Sequence, residues 1–167
     1  FASNQYKSVI HSPYVDYIVN GPGDETFPQL LTALESNAPV DAIQNLIFKR
    51  GDEIVKTPQA TLMDQDLLPQ LPYEFLNQQY PLSRYLGKTF LGKRTAAYHS
   101  SMGCPFTCSF CAVVPIYNAR WKGKSASLIY KDIQYLITNH GADAVEFHDN
   151  NFFVSEKRTV EFSNLIR

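Results

Sequence analysis

The segment SSMGCPFTCSFC, residues 100–111, contains all three cysteines of the chain, Cys104, Cys108 and Cys111. Three cysteines cannot form a paired disulfide framework, because one of them would be left over. A closed zinc site needs a fourth ligand, which a histidine such as His99 or His148 could supply. A four-iron cluster has four metal corners, so three thiolates leave one iron open to a ligand from outside the chain.

The spacing C-x3-C-x2-C and the aromatic Phe110 before the third cysteine extend this pattern. The amino and carboxylate groups of S-adenosylmethionine (SAM) suit an open iron. The loop resembles the signature of the radical SAM superfamily. That resemblance implies that Cys104, Cys108 and Cys111 bind a [4Fe-4S] cluster and that Phe110 lies near the adenine of SAM. It also implies reductive cleavage of SAM to a 5′-deoxyadenosyl radical and an electron donor such as flavodoxin or ferredoxin.

Around this loop the sequence predicts strands and helices in alternation. The predicted elements are a strand at residues 95–99, a helix at 127–139, a strand at 144–147 and a helix at 156–167. Alternation of this kind predicts an α/β fold with parallel strands and right-handed crossovers. Functional residues of such folds gather at the carboxyl ends of the strands, where the cysteine loop falls.

A second polar segment, Asp149, Asn150 and Asn151, follows the predicted strand 144–147. In the superfamily, a Gly-Gly-Glu-like motif at this strand end binds the methionine amino group of SAM. This chain lacks that motif, and the resemblance implies that residues 149–151 supply the acceptors instead. The alternative is that Asp149 and Asn150 only cap the following helix. We assign no role to His148, and residues 120–122 are interpreted as a solvated basic stretch that could also meet the nucleoside or the substrate.

The amino-terminal part begins with a strand at residues 15–19, a turn GPGDET at 21–26 and a helix that ends at Glu35. Thr26 is a candidate helix N-cap, with Asp24 as the alternative. A β-hairpin is predicted around the turn KRGD at residues 49–52, and an extended, proline-rich linker at 58–81.

The GPGDET turn resembles the last βα unit of the Rossmann-like cobalamin-binding domain that precedes the barrel in one branch of the superfamily. The resemblance implies that Gly21, Gly23 and Glu25 contact cobalamin, since glycine allows close backbone approach. The predicted fold is therefore a partial radical SAM (β/α) barrel preceded by that βα unit. We expect domain boundaries at 1–40 for the cobalamin-binding part, 41–92 for hairpin and linker, and 93–167 for the barrel.

Length and composition limit the classes of partner. The chain has 167 residues, 44% of them hydrophobic, and a net charge of -1. That charge indicates neither nucleic-acid binding nor attraction to an anionic membrane. No apolar run is long enough to span a bilayer, so we expect a cytoplasmic protein. Because the chain starts at Phe1 and stops within a predicted helix, we expect a fragment of a longer protein.

The resemblances of the cysteine loop and the GPGDET turn together imply a cobalamin-dependent radical SAM enzyme. Methyl transfer to an unactivated carbon is the majority reaction of that branch. The alternatives are a cyclase or another radical transferase without methyl transfer, and a zinc-stabilised module with three cysteines and one histidine. The substrate, a small molecule or a peptide, and the catalytic residues are not identified by the sequence.

Overall fold

The computed structural model describes residues 2–69 and 72–167. The β-strands of this described part are β1 Tyr17–Val19, β2 Leu46–Arg50, β3 Glu53–Lys56, β4 Thr95–Tyr98, β5 Ser101–Gly103, β6 Trp121–Gly123 and β7 Ala144–Phe147. The α-helices are α1 Tyr6–Val9, α2 Thr26–Glu35, α3 Tyr73–Gln79, α4 Val114–Tyr117, α5 Ala126–His140 and α6 Glu156–Leu165. The predicted α/β class is confirmed.

The chain divides into two compact units. The first contains Phe1–Leu62 and Phe106–Ala119, and the second contains Met63–Pro105 and Arg120–Arg167. The domain boundaries near residues 40 and 92 stay predictions. No helix in the described ranges is both long and apolar enough to cross a membrane.

In the first unit, β2 lies between β1 and β3, and both pairs are antiparallel. The β2–β3 hairpin was predicted, and Gly51 provides the positive φ of 61° that its tight turn requires. Helix α2 covers this sheet through Leu30, which packs with Leu46 and Phe48. Burial of these side chains joins the predicted strand–loop–helix segment to the hairpin.

The sequence suggested Thr26 as the N-cap of α2, and this prediction is wrong. The helix begins at Thr26 itself, and its side-chain oxygen donates to the Gln44 carbonyl oxygen at 3.1 Å. Thr26 is buried, so its hydroxyl needs a partner inside the fold and finds it beside the hairpin rather than at the helix terminus.

In the second unit, β4 and β7 form a parallel pair with Thr95 opposite Ala144 and Tyr98 opposite Phe147. Parallel neighbours need a crossover, and α5 provides it. The helices bury one side of the pair, and the shared core consists of Ala96, Tyr98, Ala126, Ile129, Leu136, Ala142 and Phe162. The predicted parallel strand pair is thereby confirmed.

Both ends of α5 are capped. Ser125 accepts a hydrogen bond from the Leu128 backbone N–H, and Gly141 ends the helix with φ 68°. The Arg94 side chain donates to the carbonyl oxygens of His140 and Gly141, both at 2.7 Å. A cation at this end also suits the helix dipole.

Two features differ from the sequence-based expectation. Residues 58–81 were predicted as an extended linker, but Tyr73–Gln79 forms helix α3, which begins directly after Pro72. Gln70 and Leu71 of that linker lie outside the described residues. The stretch 120–122 was interpreted as solvated, yet Trp121 is half-buried in β6, which pairs with β5.

Tyr98 joins a buried polar group to the core. Its hydroxyl donates to Asp132 at 2.6 Å, and the Lys124 ammonium lies 2.8 Å from the same carboxylate. Burial, followed by the hydrogen bond and charge of Asp132, raises the pKa of Tyr98 far above its usual value. A raised pKa keeps the Tyr98 hydroxyl protonated, as its donation to Asp132 requires.

We predict that Tyr98→Phe lowers the free energy of unfolding by about 1–3 kcal/mol, the range for a buried hydrogen bond to a charged acceptor. Urea denaturation measures this change. Tyr135→Phe is the matched control, because its hydroxyl lies at the surface, 3.4 Å from Glu74. Equal stability of Tyr98→Phe and the parent protein would contradict the prediction.

Candidate functional site

The parallel pair brings two polar segments to the same edge of the second unit. Since Tyr98 lies opposite Phe147, the residues that follow the two strands emerge side by side. The His148 backbone N–H continues the pairing by donating to the Tyr98 carbonyl oxygen at 2.9 Å. Ser100 and Asp149 therefore meet at the carboxyl ends of β4 and β7, where α/β folds build their sites.

Asp149 binds the two serines that precede the cysteine loop. Its carboxylate accepts from the Ser100 backbone N–H at 3.1 Å, from the Ser100 hydroxyl at 2.9 Å and from the Ser101 hydroxyl. The alternative that Asp149 caps the following helix is wrong, because its carboxylate binds these serines instead. Asn151 does cap a helix, because its side-chain oxygen accepts from the Phe153 N–H of the short 3₁₀-helix Phe152–Val154.

Arg158 is a buried residue of this edge that the sequence analysis missed. It lies on α6, and its guanidinium donates to the Ser100 carbonyl oxygen at 3.1 Å and to the Ser100 hydroxyl at 3.0 Å. Burial lowers its pKa, and the negative charge of Asp149 opposes that shift. A signal was present, because Arg158 shares the inward face of α6 with Phe162, four residues later.

The three cysteines are free thiols in a loop that follows this edge. Cys104 comes directly after β5 and is partly exposed, Cys108 is exposed, and Cys111 is partly exposed. Cys104 belongs to the second unit, whereas Cys108 and Cys111 belong to the first. Unpaired thiols are the donor set that iron–sulfur clusters use, so the residues fit such a cluster by their chemistry.

Across residues 2–69 and 72–167, no three His, Cys, Asp or Glu side chains form a group that could hold a metal ion. His99 and His148, the candidate fourth ligands of a zinc site, lie with ring centroids 5.9 Å apart. The His148 Nε2 atom is 3.5 Å from the Glu146 carboxylate.

The remaining candidate residues differ in exposure. Phe110, expected near the adenine of SAM, is 90% exposed. Asn150 is exposed beside the partly buried Asp149. In residues 149–151, Asn150 is therefore the side chain most open to a ligand.

The GPGDET turn lies in the first unit beside a shallow cavity of about 500 Å³. Its lining consists of Val19, Gly21, Gly23, Asp24, Phe27 and Pro28. Gly21 has φ 115°, a conformation that side-chain-bearing residues rarely adopt, and Glu25 is exposed. Glycines beside an open apolar cavity fit the close approach of a large planar cofactor.

The segment after Cys111 packs against this turn. A Cβ atom at Gly21 would lie 3.6 Å from the Ile116 carbonyl oxygen, and Asn4 donates to the Ala112 carbonyl oxygen at 3.0 Å. Burial, and after it the charge of Asp24, raises the pKa of Tyr117. The Ile116 and Tyr117 contacts place helix α4 beside the glycine turn, whereas the Asn4 hydrogen bond joins the residue after Cys111 to the amino-terminal segment.

Curated proteins with related sequences include methyltransferases and a cyclase, whereas no family model matches the chain. An uncharacterized methyltransferase from Pyrococcus horikoshii is 28% identical over 156 residues, which cover 93% of this chain and 32% of the relative. The anaerobic magnesium-protoporphyrin IX monomethyl ester cyclase of Synechocystis is 27% identical, with 92% of this chain and 30% of the cyclase covered. The cobalamin-dependent radical SAM methyltransferase TokK from Streptomyces tokunonensis is 30% identical over 102 residues, with 59% and 14% covered.

Solved structures share the fold. The radical SAM methyltransferase TsrM from Kitasatospora setae, solved with cobalamin and a [4Fe-4S] cluster, superposes with a TM-score of 0.66 at 20% identity. The cobalamin-dependent SAM radical enzyme OxsB superposes with a TM-score of 0.73 at 14% identity. Both alignments cover 99% of this chain, and they cover 32% of TsrM and 23% of OxsB.

The chain shares its fold with the solved radical SAM enzymes TsrM and OxsB. The predicted fold, a barrel segment preceded by the last βα unit of a Rossmann-like domain, agrees with these relatives. The chain spans about a third of the length of the first two curated relatives.

We predict that Gly21→Ala destabilises the first unit by about 1–3 kcal/mol, because an alanine must adopt the strained φ of 115° there. Gly23→Ala is the matched control, since its new Cβ would meet Val19 at an ordinary 3.7 Å and its φ is not in the strained range. Urea denaturation compares the two variants. A Gly21→Ala protein as stable as Gly23→Ala would contradict the prediction.

Proposed function

We propose that the chain is part of a cobalamin-dependent radical SAM enzyme in which Cys104, Cys108 and Cys111 ligate a [4Fe-4S] cluster. The observation that carries this proposal is the position of the cysteine loop. The loop follows β4 and β5 at the carboxyl edge of a parallel strand pair, and the polar residues after β7 lie at the same edge. The relatives that share this sequence and fold support the assignment.

A cluster held by these thiols would supply the electron for reductive cleavage of SAM to a 5′-deoxyadenosyl radical. The chain's own residues bind and orient these groups. The three thiols donate to iron, and three ligands leave the fourth iron for SAM. Asn150, exposed beside Asp149, accepts from the methionine amino group, while Asn151 shapes the same segment by capping the 3₁₀-helix. Phe110 lies close to the adenine.

The cobalamin part of the proposal concerns Gly21, Gly23 and Glu25. The positive φ of Gly21 keeps the turn compact, and the cavity beside it offers an apolar surface. The exposed Glu25 carboxylate can accept hydrogen bonds from amide groups of the corrin side chains. TsrM and OxsB were solved with cobalamin, which supports the same cofactor here.

The reaction that we propose is methyl transfer to an unactivated carbon of a small molecule or peptide, with flavodoxin or ferredoxin as electron donor. Relatives named as methyltransferases favour it. The relatives named as magnesium-protoporphyrin ester cyclases make oxidative cyclisation the second candidate. The zinc-stabilised module is the non-enzymatic alternative.

We predict that anaerobic reconstitution of the full chain with iron and sulfide gives broad visible absorption that dithionite bleaches. Cys108→Ala should lose this absorption and the release of 5′-deoxyadenosine from SAM, because only two thiolates remain. Ser109→Ala is the control, since Ser109 neighbours Cys108 in the same exposed stretch. A colourless protein with one zinc per chain would overturn the cluster assignment.

Methyl transfer and cyclisation can be separated with SAM that carries a deuterated methyl group. For methyl transfer, we expect the label in cobalamin extracted from the reduced enzyme, measured by mass spectrometry as methylcobalamin. Glu25→Gln should weaken cobalamin retention while leaving iron content unchanged. If SAM is cleaved but the cobalamin carries no label, the methyl-transfer proposal is wrong and the cyclase candidate stands.

A further inference from the structure

Ser100 is the most enclosed residue of the strand edge, with no exposed surface. Its backbone N–H and hydroxyl both donate to Asp149, and its carbonyl oxygen accepts from Arg158 and from the Lys124 backbone N–H at 2.8 Å. Each polar atom of a fully buried serine thus has a partner, and two of the partners are charged. Hydrogen bonds with an ionised partner are the stronger kind.

Two aromatic rings contact the Arg158 guanidinium. The Arg158 carbon Cζ lies 5.0 Å from the Trp121 ring centroid and 4.7 Å from that of Phe152. A second guanidinium nitrogen donates to the Phe152 carbonyl oxygen at 2.6 Å. Stacking and planar donation of this kind require arginine, because a lysine ammonium cannot reproduce either.

Neighbouring residues pack closely around Arg158 and Trp121. The Trp121 indole N–H donates to the Asn151 carbonyl oxygen at 3.2 Å, which fixes the ring against which Arg158 packs. A Cβ atom at Gly123 would come within 2.6 Å of the Trp121 ring and 3.0 Å of Arg158. Strand β6, which contains Trp121 and Gly123, pairs in turn with β5.

These contacts converge on the strand that leads into the first cysteine. Ser101 begins β5, and Gly103 ends it with φ 79° directly before Cys104. By contrast, residues 105–110 are all exposed. The buried charge of Arg158 and the partly buried charge of Asp149, on either side of Ser100, cost desolvation energy. A serine turn that only had to link two strands would not need them.

We propose that Asp149 and Arg158 are positioning residues for the iron–sulfur cluster, because together they fix Ser100 and β5 and thereby hold Cys104 for metal binding. This inference rests on the proposed function of the cysteine loop. In this inference, Asp149 acts by positioning Ser100 and β5, whereas Asn150 is the residue that contacts the SAM amino group. Arg158 acts through Ser100 and does not touch the cofactors.

The test compares Asp149→Asn and Arg158→Lys with Tyr98→Phe in the anaerobically purified full chain. Asparagine carries no negative charge and lacks the second acceptor oxygen, which lies 3.2 Å from the Ser100 backbone N–H. Lysine keeps the charge of Arg158 but loses the paired donation to Ser100. Tyr98→Phe destabilises the same unit without removing a hydrogen bond to Ser100. The readouts are iron and sulfide per chain after reconstitution and the electron paramagnetic resonance spectrum of the reduced cluster.

We expect at least about a tenfold loss of apparent affinity for iron in Asp149→Asn and Arg158→Lys, the range for residues that orient metal ligands. The cluster that does form should give a broadened spectrum. Tyr98→Phe should load iron as the parent chain does. Equal loading and identical spectra in all variants would overturn the inference, and so would a loss in Tyr98→Phe that parallels the other two.

Hydrogen exchange of the metal-free chain tests the positioning role of Asp149 independently of the proposed function. Asp149→Asn should raise amide exchange in residues 100–104 more than Tyr98→Phe does, whether or not a cluster binds. Unchanged exchange there would overturn the inference alone. A parent chain that takes up no cluster would overturn the proposed function and the positioning role with it. Ser101→Ala, which removes one hydrogen bond, replaces Asp149→Asn if that variant does not fold.

Discussion

The parallel pairing of β4 with β7 is the constraint on which the rest of the site depends. Its register sets Tyr98 beside Phe147, and the following residues of both strands must then emerge next to each other. Two segments almost fifty positions apart in sequence meet in this way, and Asp149 then binds Ser100 and Ser101. The hydrophobic side chains that α5 and α6 bury against the pair hold that register in place.

Buried polar atoms divide the edge into a fixed part and an open part. Ser100 is buried with a partner for every polar atom, and Arg158 is buried with partners for its two terminal nitrogens but none for Nε. Moving either residue would break several hydrogen bonds at once. Cys108 and Phe110 are exposed and have few such constraints. A fixed strand β5 ahead of an exposed loop suits a metal site in which Cys104 is oriented before Cys108 and Cys111.

Much of the fold could be predicted from sequence, because strands rich in branched and aromatic residues alternate with helical spacing and clear turns. Helix α2, the hairpin, and the β4–α5–β7 order follow from such local signals. Helix α3 was missed because the prolines around it obscured a short apolar repeat. The cysteines were found by spacing alone, whereas Arg158 was missed because its role depends on contacts with Ser100 and Trp121, far away in sequence.

The relatives add a chemical argument about what this region does. Proteins named as methyltransferases and as cyclases align with more than nine-tenths of the chain at nearly equal identity. Their reactions differ in the bond that is finally made, so a segment common to both serves the steps that the reactions share. Under the proposed function, the cysteine loop, the Asn150 segment and the Gly21 turn would bind the cluster, SAM and cobalamin. The strand pair that fixes the first two would then be a framework for radical generation rather than for substrate choice.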